Sequence, residues 1–203
     1  MAQSTLNTNT SNEEMTPGQT LNEIRELMNR STRSYMSGWT PLLCGLVALA
    51  GAVIAGKLIK SGASVSTINI VAGITLILGV LIPLIQYASW IKKQGNTLTF
   101  STVSQRLLGA IFFPVTAGGV LSIALETAGL YEWIPAAMLL FYGLGVINLG
   151  HYSEKTLPWP GYLFLITGTL ACFLREYPLV LWSIGFSGVH IVYGIYLISR
   201  NRG

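Results

Sequence analysis

The chain has 203 residues, 51% of them apolar and only 10% charged, and it contains no Asp. A soluble domain carries about a quarter charged residues, so this deficit excludes an ordinary water-soluble fold and implies several membrane spans. The net charge of +4 does not signal nucleic acid, because no basic cluster lies beside interleaved aromatics on a polar domain.

Residues 1–19 are rich in Asn, Thr, Ser and Glu and lack Lys, Arg and any apolar core. They read as a disordered polar tail without a cleavable signal. Residues 20–36 come next as an amphipathic interfacial helix: Thr20 and Glu23 form a capping box, and Leu21, Ile24, Leu27, Met28 and Tyr35 mark an apolar stripe. Arg25, Arg30 and Arg33 give this helix the character of a segment lying on anionic headgroups. Docking on the protein's own cytoplasmic face fits the same pattern equally well.

Residues 37–203 form the membrane domain, with apolar runs at 39–59, 68–90, 107–125, 133–150, 159–174 and 179–198. Each is near the roughly 20 residues a bilayer core requires, except the fifth, whose sixteen residues reach only about 24 Å. The expected fold is therefore all-α: a bundle of six transmembrane helices plus the interfacial helix. Six crossings leave both termini on one side, and nine of the twelve basic residues fall there against Lys57, Lys60 and Arg175 on the other. That bias places both termini in the cytoplasm. Trp39, Trp90, Trp133, Trp159 and Trp182 mark span ends, where amphipathic indoles prefer to sit.

Pro83 and Pro114 fall inside the second and third spans, where each removes a backbone hydrogen bond. Cys44 and Cys172 lie toward opposite faces, so a disulfide between them is not expected. Gly118, Pro135, Gly145 and Val146 recur 43 residues later as Gly161, Pro178, Gly188 and Val189, a pattern a duplicated hairpin would produce.

Small residues suggest packing ridges. Ala48, Ala52 and Gly56 repeat every four residues in the first span, and Ser183, Ser187, His190 and Gly194 share a face in the last. His190 is the ionisable side chain to consider first, because such groups deep in a bilayer are costly unless neutral, bonded or functional. A neutral imidazole bonded to a neighbouring helix is the simpler reading, and a pigment or haem ligand is the functional one.

Little else points to chemistry. Gly185, Phe186, Ser187 and Gly188 match the Gly-x-Ser-Gly signature of intramembrane serine proteases, which also have six spans, but here Ser187 and His190 share one helix. His151 sits at the cytoplasmic end of the fourth span, too far in depth from His190 for both to clasp one haem iron. No cluster resembles a metal site, so no catalytic, metal or resident cofactor group is assigned. The inner loop His151, Tyr152, Glu154 and Lys155, together with Arg25, Arg30 and Arg33, offers a docking surface for a cytoplasmic partner. At the outer face, Glu126 or Glu132 is placed to pair with Arg175.

The pieces LNEIRELMNRSTR, FPVTAGG, LLFYGLGVINLGHYSEKT and LWSIGFSGVHIVYGIYL resemble a family of uncharacterised bacterial six-span membrane proteins, over most of the chain beyond the tail. Asn148 keeps the family pattern, whereas Leu149, Gly150, His151 and Tyr152 depart from it. The resemblance implies a bacterial inner-membrane location and a gene often beside one for a winged-helix regulator, with no established activity. The expected role is non-enzymatic: an accessory or regulatory subunit, in contact with the bilayer and with a protein partner or further copies of itself. A facilitator for a small neutral solute, using His190, Asn148 or Tyr193, and a pigment- or haem-binding subunit are the alternatives.

Overall fold

The computed structural model of the chain describes residues 18, 38–93, 102–151 and 158–200, with backbone alone at 87, 90, 91, 93, 102–108 and 151. The tail, the interfacial helix with Arg25, Arg30 and Arg33, and the loop residues Tyr152, Glu154 and Lys155 lie outside the described side chains, as does the imidazole of His151.

The described chain is helical. α1 is Trp39–Lys60, α2 Val65–Lys93, α3 Thr102–Thr127, α4 Ile134–His151 after a short turn at Tyr131–Trp133, and α5 Pro158–Phe173. α6 is Pro178–Arg200, with a π-turn over Ile184–Val189 inside it. Five of the six are long and apolar enough to cross a bilayer, α5 being the exception at 16 residues. The chain thus fits a multi-pass membrane protein.

The tight connections close at one end of the bundle. Gly62 and Gly129 take φ of 71° and 74°, a conformation that a Cβ would strain. Each lets the chain cap the helix it leaves: after α1, the Ala63 N–H bonds the Leu58 carbonyl at 3.0 Å and Gly62 bonds Ile59 at 3.1 Å. After α3, Leu130 bonds Leu125 and Gly129 bonds Glu126, both at 2.9 Å. These are paired six-to-one and five-to-two closures that satisfy the last carbonyls of the helix. Pro178 opens α6 at its first turn, where its missing N–H removes no helical bond.

α4 is the hub. It packs against α3, α5 and α6, while α1 bridges α6 and α2, so α2 and α3 form the flanks. Glycines set the closest approaches. A Cβ on Gly161 of α5 would meet the Gly143 carbonyl of α4 at 2.9 Å, and one on Gly194 of α6 would lie 2.6 Å from the Leu42 nitrogen of α1. Such backbone-to-backbone contact is what small residues make possible between apolar helices, which gain little from burial against a lipid surround.

The core gathers Ala136 and Leu139 of α4, Phe164 and Ala171 of α5, and Leu181 and Val189 of α6. A second cluster joins Tyr193 and Leu197 of α6 to Leu149 and Trp159. Outside these, large apolar side chains stay exposed, among them Ile70, Ile74, Ile77 and Leu84 on α2 and Phe112, Phe113 and Val120 on α3. In water such patches would drive association, whereas against hydrocarbon they cost nothing. The 43-residue echo does not carry equal packing: Gly145 meets Ile111, but its counterpart Gly188 faces open space.

Candidate functional site

The polar centre of the bundle is a pair, Tyr142 of α4 and His190 of α6. The Tyr142 hydroxyl lies 2.9 Å from His190 Nε2, and His190 Nδ1 lies 2.8 Å from the Phe186 carbonyl oxygen. A carbonyl can only accept, so Nδ1 carries the proton. In a neutral ring Nε2 is then the acceptor, and the Tyr142 hydroxyl donates to it.

Aromatic rings enclose the pair. Tyr142 stands edge-on to Phe164 at 4.8 Å and tilted against Phe186 at 5.1 Å, while Phe164 meets His190 at 5.2 Å. Trp182 extends the cluster from Phe186 at 5.1 Å. Edge-to-face geometry sets positive ring edges on negative faces, which adds orientation to simple burial. Three helices contribute, so the pair ties α4 to α6 with α5 closing the side.

The four small or polar residues of the last span divide between neighbours rather than sharing one. Gly194 packs on Leu42 of α1 and on Gly38 just before it, and the Ser187 carbonyl lies against Gly45 of α1, whereas His190 turns to Tyr142 of α4. His190 and Gly194 both lie beyond the π-turn and about 40° apart around the helix, so they reach different neighbours from the two edges of one face. Ser183 donates to the Leu179 carbonyl at 2.7 Å. Ser187 is 2% exposed, and its hydroxyl has no hydrogen-bond partner.

On α1, Ala48 and Ala52 are buried, and a Cβ on Gly56 would come within 3.3 Å of Leu179 at the start of α6. Gly38 and Gly45, which make still closer approaches to α6, escaped the four-residue pattern because they precede its register. Tyr142 also escaped notice in the sequence. Only its position well inside the fourth apolar run could have flagged it.

A few of the remaining polar side chains bond neighbouring helices. Thr40 donates to Gln86, joining α1 to α2, and Asn69 donates to Glu126, joining α2 to α3. The Cys44 thiol lies 3.7 Å from the Gly79 carbonyl, and both cysteines are free. Arg175 lies over the Trp133 ring, 4.7 Å from its centroid, in place of the carboxylate pairing expected from the sequence. A cation over an indole face keeps its outward side hydrated, which an exposed ion pair scarcely improves on. Asn148 is exposed near the end of α4, and Tyr193 packs against Trp159 at 6.1 Å.

Among the described residues no group of three or more His, Cys, Asp or Glu could hold a metal ion. A haem iron would require one nitrogen of His190, and both are engaged within the protein. No family model, curated protein or solved structure matches the chain.

Proposed function

We propose that the chain is a non-enzymatic accessory or regulatory subunit of a bacterial inner-membrane assembly, acting through helix contacts in the bilayer. It crosses six times, with α5 as a short sixth span and both termini in the cytoplasm, in keeping with its resemblance to bacterial six-span proteins. The observation that carries this reading is the internal use of His190, the imidazole at the centre of the bundle: Tyr142 and the Phe186 carbonyl take both of its nitrogens. A side chain committed in this way holds helices together and is not presented to a solute or an iron.

The flank of the bundle supports the same reading. α2 rests on α1, with no residue of Val65–Gln86 buried. Its outward Ile70, Ile74, Ile77, Leu81 and Leu84 recur at alternating steps of four and three, the spacing by which one helix lies along another. A neighbouring subunit's helix would complete this flank.

Extraction of the protein from its native membrane into polymer-bounded nanodiscs, with mass measurement and identification of copurifying chains, tests the proposal. A particle heavier than one copy, with a defined second chain or repeated copies, is the expected result. Ile77→Trp should lower the recovered assembly while leaving the single chain folded. A strictly monomeric particle with no copurifying chain overturns the reading.

A further inference from the structure

We infer, independently of the assembly reading, that α6 is a two-register helix. The π-turn over Ile184–Val189 is one of two hydrogen-bonding states, held by the chain of bonds from Tyr142 through His190 to Phe186, and the other state rotates His190–Arg200 against α1.

A π-turn takes one more residue per closed ring than an α-turn. Returning it to α bonding rotates the segment beyond it by roughly 100° and advances it by about 1.5 Å. The structure places opposing preferences on the two states. Within the helices several hydroxyls donate to the carbonyl four residues back, Thr75 to Val71 at 2.8 Å, Ser89 to Ile85 at 2.8 Å, Ser122 to Gly118 at 2.7 Å and Ser183 to Leu179 at 2.7 Å, while Thr127 and Ser199 at helix ends donate three back. Ser187 is buried in the π-turn and makes no such bond. In α geometry its partner would be the Ser183 carbonyl. The π state therefore leaves a hydroxyl unpaired, an arrangement that persists only where something else offsets it.

The offset comes from His190. Its Nδ1–H bonds the Phe186 carbonyl inside the turn, and its Nε2 accepts from Tyr142 on another helix. One state thus satisfies the imidazole across two helices, and the other satisfies Ser187 within one. Gly185 and Gly188 flank the serine and lower the cost of rearranging the backbone, with open space beside Gly188.

The rotation has a readable consequence. Gly194 and Gly38 meet so closely that a Cβ on either would lie 2.6–2.7 Å from the other helix's backbone. Turning α6 replaces Gly194 by a larger residue at that contact, so α1 must step back at its start, where residues 20–36 lead in. Register at the bundle centre is thereby coupled to the beginning of α1.

Double electron–electron resonance on the full chain in lipid nanodiscs tests this, with Cys44 and Cys172 replaced by Ala. Nitroxides at Ile195 on α6 and either Val120 on α3 or Leu46 on α1 occupy exposed positions. A side chain 5–6 Å from a helix axis moves about 8 Å when the helix turns by 100°. Tyr142→Phe should add a second distance population in at least one pair, displaced by about 5 Å or more. Deleting Gly188 in that background takes the extra residue out of the turn and should restore a single population. His190→Phe serves the same purpose should the tyrosine variant fail to fold. An unchanged single distance in the variant, or a second population that survives the deletion, overturns the inference.

Discussion

At His190, a ring that could carry charge sits between two hydrogen-bond partners. The Phe186 carbonyl fixes the proton on Nδ1, and in the neutral ring the Tyr142 hydroxyl donates a hydrogen bond to Nε2. Between helices in a membrane such a bond contributes about 0.6 kcal/mol and at most about 1.7, because the separated helices find other partners. Tyr142→Phe keeps the ring packed on Phe164 and Phe186 and should lose an amount in that range, read from a detergent or steric-trap unfolding midpoint in bilayers. Ser187→Ala should be neutral or slightly stabilising by the same measurement, since it removes a buried hydroxyl that has no partner. A loss of several kcal/mol at Ser187 would show that its hydroxyl is bonded after all.

The elements show which features hydropathy can reveal. Apolar runs at 39–59, 68–90 and 107–125 correspond to helices Trp39–Lys60, Val65–Lys93 and Thr102–Thr127, each helix reaching a little beyond its run. Backbone bonding continues through residues such as Ser66 and Lys92 that are too polar for the run, so apolarity marks a helix's middle better than its ends. The short fifth run, 159–174, returns as Pro158–Phe173.

The π-turn left no such trace. One inserted residue leaves composition and hydropathy unchanged and shows only as a change of phase between residues before the turn, such as Ser183, and those beyond it. Nor could a single sequence reveal that Tyr142 meets His190, because which helix neighbours which is set by packing. The glycine seam between α1 and α6 belongs to this scale. Gly194→Leu would drive a side chain into the Leu42 backbone and should cost about 3 kcal/mol, the upper part of the usual overpacking range. Its unfolding midpoint should fall accordingly, and an unchanged midpoint would mean that α1 and α6 do not meet there.

For the molecule as described, a bundle of helices with exposed apolar flanks suits a bilayer and suits neighbours within it. Six crossings depend most heavily on α5. At about 24 Å it is shorter than the hydrocarbon core, so it crosses only if the bilayer thins or the flanking residues reach for the surface. Thr167, buried on α5, donates to the Leu163 carbonyl, and Trp159 and Phe173 stand at the helix's two ends, placed to anchor it in the interfaces. If α5 does not cross, the number of spans is odd and the termini part company. Labelling of single cysteines with a membrane-impermeant thiol reagent, in right-side-out membrane vesicles of a chain otherwise free of cysteine, decides the point. Ser61→Cys and Ala128→Cys should react from outside, while Ser4→Cys and Asn201→Cys should react only after the membrane is opened. Reaction of Asn201→Cys in sealed vesicles, with Ser4→Cys still protected, would contradict six crossings and the placement of both ends in the cytoplasm.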